Sequence, residues 1–121
     1  LMVPMSRVVT FPLGASIDEV AQEAGRHTYS RFPLVDPVGG VAGIVSLFDL
    51  LGRDGGERLA AVMHPPLFVR PEEKAERLLI RMKEDSLHFA VVVGPEGEAL
   101  GIVTLENILE SFVGEISNEY E

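Results

Sequence analysis

At 121 residues the chain is long enough to bury one real core and too short for two independent ones. Nineteen acidic against 10 basic side chains leave a net charge of −9, which argues against a nucleic-acid backbone as partner; no apolar run approaches the roughly 18 residues of a membrane helix, so the fragment reads as soluble. It holds no cysteine, which excludes a disulfide framework, thiolate chemistry and a cysteine-type zinc cluster.

Val8-Val9-Thr10-Phe11 is a short β-prone run closed by Pro12, and Ser16-Ile17-Asp18-Glu19 then supplies a capping-box start for a helix. Ile17, Val20, Ala21 and Ala24 fall on one helical face, with Gly25 as a stop. Phe32 to Val35 predicts a strand, Asp36 to Gly40 a turn, and Val41 to Val45 a second strand that runs into Ser46 and a helix. Gly52 to Arg58, rich in glycine and charge, is the expected joint. Leu67-Phe68-Val69 is again a strand; Pro71 stands near a helix start, and Ala75, Leu78, Leu79 and Met82 share a face. Phe89 to Val93 and Ala99 to Val103 are strands flanking a Gly94 to Gly97 turn, and Thr104 opens a last helix before Gly114.

The second half repeats the first without gaps. Gly43-Ile44-Val45-Ser46-Leu47-Phe48-Asp49 returns 58 positions later as Gly101-Ile102-Val103-Thr104-Leu105-Glu106-Asn107, and the helix faces and turn glycines keep the same offset. Each copy reads β-α-β-β-α, and two short copies must share a core. At each strand-to-helix junction a hydroxyl is followed three residues later by a carboxylate or amide. Such a pair either caps the helix, the commoner use, or holds a phosphorylated ligand at the N-terminus.

These residues resemble a tandem pair of CBS domains, a Bateman module, over nearly the whole chain. The resemblance rests on Arg31-Phe32-Pro33-Leu34-Val35 and on Gly43 to Asp49; in the second copy Phe89-Ala90-Val91-Val92 lacks the proline and Asn107 replaces the aspartate. Met2-Val3-Pro4, Ser30-Arg31-Phe32-Pro33, Thr104-Leu105-Glu106-Asn107 and Val113-Gly114-Glu115-Ile116 are similar to the CorC/HlyC (hemolysin-like) subgroup, linked to magnesium and cobalt efflux. The resemblance implies an α+β (α/β) fold of two CBS repeats packed with pseudo-twofold symmetry, residues 1–56 and then 57–121 with an acidic C-terminal extension. It implies a regulatory module of a divalent-cation transporter that binds AMP or ATP, with or without Mg2+. It further implies a homodimer beside a membrane domain at the cytoplasmic face, from which this chain would be a piece.

Carried onto this sequence, the first nucleotide site is Thr10, Ser30, Arg31, Phe32, Pro33, Ser46 and Asp49. Ser46 donates to phosphate, Asp49 accepts ribose hydroxyls, Arg31 forks onto phosphate, and Thr10, Phe32 and Pro33 flank adenine. The second site is Phe68, His88, Phe89, Ala90, Thr104 and Asn107. It ranks lower because Phe89 stands where Arg31 does and Asn107 has no charge, although the subgroup often favours its second junction.

Plainer readings stand beside these. Arg31 is equally suited to an ion pair with Asp36 or Glu23. His27, His64 and His88 have no metal-ligand spacing and read as ordinary surface or core histidines, so no metal site is expected. Glu106, Glu110, Glu115 and Glu119 form a solvated helix side, or in such a family a magnesium-responsive face. Met5, Met63 and Met82 are gap fillers in a core. No nucleophile elbow or Walker loop is present, so an enzyme is disfavoured, and a purely structural dimerisation module is the alternative.

Overall fold

The computed structural model describes residues 2–26 and 30–119, the side chains of 115–119 excepted. In chain order the elements are β1 (Val3–Pro4), a 3-10 turn (Met5–Arg7), β2 (Phe11–Pro12), α1 (Ile17–Ala24), β3 (Arg31–Val35), β4 (Val41–Ser46), α2 (Leu47–Leu50), a second 3-10 turn (Leu59–Ala61), β5 (Leu67–Val69), α3 (Ala75–Glu84), β6 (Phe89–Val93), β7 (Ala99–Thr104) and α4 (Leu105–Glu119). Both halves therefore have the β-α-β-β-α order of a mixed α/β fold.

Two compact units form, one of Val9–Pro66 and one of Leu1–Val8 with Leu67–Glu121. In the first, β2 lies parallel to β3 and β3 antiparallel to β4. Alternation along β3 sends Phe32 and Leu34 into a core with Phe11, Ile17, Val20, Val45 and Leu50, where the Phe11 and Phe32 rings meet edge to face at 5.3 Å. In the second unit, β5 and β6 are parallel, β6 and β7 antiparallel, and β1 adds to the outer edge of β7. Its core gathers Val69, Leu78, Met82, Ala90, Val92, Val103 and Ile108, a cluster of its own, so the one shared core expected from chain length is corrected to a core in each unit.

The registers repeat as faithfully as the sequence. Arg31 faces Ser46 as Phe89 faces Thr104, Leu34 faces Gly43 as Val92 faces Gly101, and both hairpins shift register at the same place, Leu34/Val35 and Val92/Val93. The turn glycines, Gly39 (φ 91°) and Gly97 (φ 83°), adopt the left-handed conformation a side chain would resist.

Several expectations are corrected. The first strand is only Phe11–Pro12, and Pro12 sits within it, which an edge strand tolerates. Ser16 does cap α1, accepting from the Glu19 N–H at 3.4 Å, but Ala21 is exposed because the buried face of so short a helix is already filled by Ile17, Val20 and Ala24. The last helix continues through Gly114 to Glu119, since one glycine weakens a helix without ending it. Gly52 to Arg58 does not lie between the units. The Gly55 and Glu57 carbonyls accept from the Asp18 and Ile17 N–H groups, so the segment closes over the open N-terminus of α1.

The sequence reading did not anticipate β1. It pairs Val3 with Ile102, and in the first unit the corresponding edge of β4 is taken by His64, bridged to Ile44. Each unit is thus edged by the residues that lead into the other repeat.

Candidate functional site

At the first junction the chain turns from β4 directly into α2. The Leu47 N–H donates to the Ser30 carbonyl (2.8 Å), and the Ser46 hydroxyl oxygen accepts from the Phe48 N–H (3.3 Å), so Ser46 is a helix cap. The β3–β4 register puts Arg31 across from Ser46. Asp49, three residues beyond the cap, does not bond back to the Ser46 N–H. Its Oδ2 lies 2.8 Å from His64 Nε2, and the Arg53 Nε–H donates to its backbone carbonyl at 3.2 Å. Asp49 Oδ1 accepts no bond from the described residues.

The remaining residues of the first set separate by burial. Thr10 is half-buried just before β2, whose Phe11 pairs with Leu34, so the parallel register carries Thr10 beside Pro33. Pro33 is buried, and Phe32, at 1% exposure, belongs to the core. The structure therefore gathers Ser30, Arg31, Ser46 and Asp49 at one end of the sheet, with Thr10 and Pro33 further along β3 and Phe32 turned inward.

The second junction has the same frame with different contacts. The Leu105 N–H donates to the His88 carbonyl (3.0 Å), as Leu47 does to Ser30. Thr104 and Asn107, however, close a full capping box: Thr104 Oγ1 accepts from the Asn107 N–H (3.1 Å) and Asn107 Oδ1 accepts from the Thr104 N–H (3.3 Å). The amide oxygen that would meet a ribose is turned onto the Thr104 N–H. Ala90 is buried in the core in the place of Phe32, Phe89 is buried across from Thr104, and Phe68 and His88 are exposed. A groove of about 440 Å³ runs between α3 and α4, lined by Leu79, Met82, Leu105 and Leu109 with Lys83 and His88; neither Thr104 nor Asn107 lines it.

The electrostatic alternatives resolve by geometry. Asp36 spends its Oδ1 on the N–H groups of its own turn, Val38 (3.0 Å) and Gly40 (2.9 Å), and Glu23 pairs with Arg26 at 3.5 Å. Arg31 makes no ion pair among the described residues. No cluster of three or more metal-ligating side chains occurs among them; Glu106 and Glu110 are exposed, whereas His27 and the side chains of Glu115 and Glu119 lie outside the description. No described helix is long and apolar enough to cross a membrane.

Sequence reasoning missed His64. Its signal was the lead-in Met63-His64-Pro65, which echoes Met2-Val3-Pro4 at an offset of 61 and so falls out of an ungapped comparison at 58.

Two β-α-β-β-α repeats, each with a hydroxyl-capped strand-to-helix junction, define a tandem repeat module. The chain belongs to the CBS domain family, whose model matches residues 2–56 and 59–114. It is similar to the CBS domain of the bacterial CNNM/CorC family Mg2+ transporter solved in complex with ATP (TM-score 0.88, 30% identity, 93% of this chain and 84% of that one). A second solved relative is the cytosolic domain of the Mg2+ channel MgtE in complex with ATP (TM-score 0.79, 30% identity, 92% of this chain and 46% of that one). In sequence, the chain is 34% identical to Hemolysin C of Brachyspira hyodysenteriae and 31% identical to the magnesium and cobalt efflux protein CorC of Pasteurella multocida, in both cases over all of this chain. It spans 46% and 42% of those two proteins.

Proposed function

We propose that the chain is a regulatory module that binds one adenosine nucleotide, AMP or ATP, at the junction of its first copy. The observation that carries this reading is Arg31, without an ion pair among the described residues and across from Ser46 in the strand register, with Asp49 Oδ1 three residues further on accepting no bond from the described residues. Ser46 accepts a backbone bond yet keeps its O–H to donate to a phosphate oxygen. Arg31 offers its planar fork to the same phosphate, and Asp49 accepts from vicinal ribose hydroxyls. Adenine then rests near Thr10 and Pro33.

The solved relatives that hold ATP, at 30% identity each, support the ligand class. The names of the sequence relatives support magnesium and cobalt efflux as the attached activity, with Mg2+ accompanying the polyphosphate. In the full-length protein the module would sit on the cytoplasmic face beside a membrane domain and act as a homodimer. Occupancy shifts populations of that dimer, and no bond of the nucleotide is broken.

Calorimetric titration with AMP, ADP and ATP, with and without Mg2+, tests the reading. One nucleotide per chain is expected; at a ligand concentration of about 100 Kd the folded state gains ~2.7 kcal/mol, a rise of several degrees in Tm. A flat titration with the whole series sinks the reading and leaves a structural dimerisation module, for which the self-satisfied Thr104–Asn107 box already speaks in the second copy. Release of ADP or phosphate from ATP would make the chain an enzyme.

A further inference from the structure

His64 is held where it stands. Its N–H donates to the Ile44 carbonyl (2.8 Å), its own carbonyl accepts from the Ile44 N–H (2.9 Å), and Pro65 and Pro66 fix the chain immediately after it. Ile44 lies two residues before Ser46 on β4, so this anchoring delivers the imidazole to the first turn of α2 and to Asp49 Oδ2. The second unit supplies an internal comparison. The residue that occupies the same edge position, opposite Ile102, is Val3, and the residue in the place of Asp49 is Asn107. Carboxylate and imidazole are therefore present together in one copy and absent together in the other. Where the imidazole is missing, the side chain three residues after the cap folds back onto the Thr104 N–H; where it is present, that side chain does not.

Building on the nucleotide reading above, we propose that His64 is a positioning residue for ribose recognition: by holding Asp49 Oδ2 it keeps the carboxylate out of the capping box and leaves Oδ1 presented to the sugar diol. A carboxylate has room for this, since its two oxygens offer about four acceptor directions and His64 uses one. Without the imidazole, Asp49 rotates onto the Ser46 N–H as Asn107 does onto Thr104. The helix then gains a cap bond and the ligand loses its sugar contact.

The test titrates wild type, His64→Ala and His64→Gln with ATP and with 2′-deoxy-ATP, and records a melting curve for each. Wild type is expected to prefer ATP. His64→Ala should lose about tenfold in ATP affinity, the order expected when a charge-assisted bond to the ligand goes. Its preference over 2′-deoxy-ATP should collapse toward unity, while Tm holds or rises. His64→Gln, whose amide can still donate, should recover most of the preference. In a double-mutant cycle with Asp49→Asn the two losses should be strongly non-additive. A His64→Ala chain that keeps its ribose preference, or that loses affinity for both nucleotides equally along with Tm, overturns this inference and leaves the nucleotide reading standing. A wild-type chain that binds neither nucleotide overturns both.

Discussion

Asp49→Ala and Asn107→Ala change equivalent positions of the repeat, and the structure predicts opposite outcomes for them. Asp49 caps nothing. Its side-chain bond runs to His64, whose side chain is 63% exposed against 33% for Asp49, so water competes for the pair and its loss should cost about 0 to 1 kcal/mol. Asn107 completes a half-buried capping box, and the alanine variant leaves the Thr104 N–H without its acceptor, at a cost of about 1 kcal/mol, or roughly 3–6 °C in Tm for a chain of this size. Nucleotide binding should divide the other way. Asp49→Ala removes the acceptor for the sugar hydroxyls, worth about 1.5–3 kcal/mol and hence at least tenfold in Kd, while Asn107→Ala leaves the titration unchanged. Urea denaturation and calorimetry with ATP on both proteins give the four numbers. If Asn107→Ala abolishes binding while Asp49→Ala preserves it, the second junction is the site and the ranking by charge is wrong. If Asp49→Ala loses more than about 2 kcal/mol of stability and no affinity, the carboxylate is structural.

Arg31→Ala should weaken ATP and AMP but not adenosine, because the guanidinium meets phosphate, and Arg31→Lys should restore part of the loss without bidentate geometry; equal weakening of the nucleotides and of adenosine on calorimetry would remove Arg31 from the phosphates. Phe32→Ala should cost about 3–5 kcal/mol, since the ring is 1% exposed and packs edge-on against Phe11; a urea midpoint close to wild type would place that ring outside the core. Gly101→Ala should destabilise more than Gly43→Ala. A Cβ at 101 runs into the Val3 backbone carbonyl and Met2, whereas at 43 its three nearest atoms all belong to the Met63 side chain, Sδ at 2.5 Å, Cγ at 2.9 Å and Cβ at 3.0 Å, of which the first two can move. Overpacking of about 1–3 kcal/mol is expected for the first, Met63→Ala should relieve the second, and thermal melts showing the reverse order would refute the placement of β1.

The parts of the fold legible in the sequence are those that a side chain dictates locally. The continuous apolar runs Phe32-Pro33-Leu34 and Ala90-Val91-Val92, glycines at the hairpin turns, and the 3.6-residue spacing of Ile17, Val20 and Ala24 specify strands, turns and helix faces within a residue or two. The offset of 58 carried the register as well, down to the shared bulge, because hairpins of equal length and equal turn chemistry must pair alike. Edge contacts were not legible. Val3 and His64 approach their sheets from far along the chain, and nothing in Met2-Val3-Pro4 or Met63-His64-Pro65 reports which strand each meets. The extent of the two junction helices was hidden for a different reason. Leu47–Leu50 and Leu105–Glu119 start alike, but Gly52 (φ 78°) turns the first chain away within one turn, while in the second the apolar positions Ile108 and Phe112 keep packing on the core.

That difference in helix length bears on what the junctions can do. A phosphate site built on a helix N-terminus relies on unsatisfied N–H groups and on the macrodipole behind them. Here α2 has four residues, too few for a useful dipole, and in both copies the first helical N–H is consumed by the carbonyl of the residue just before a strand, Ser30 or His88. The long α4 has the dipole but seals its start with a reciprocal cap. In the proposed site, recognition at the first junction would therefore come from side chains, the guanidinium of Arg31, the hydroxyl of Ser46 and the carboxylate of Asp49. Such a site depends on leaving part of the bonding capacity of those groups unused by the protein, the Ser46 O–H and Asp49 Oδ1 here. Duplication supplied the same backbone twice; what separates the two junctions is whether the side chain three residues past the cap has an outside partner, as Asp49 has in His64, or only the cap, as Asn107 has in Thr104, and on the proposed reading that difference decides which one takes a ligand.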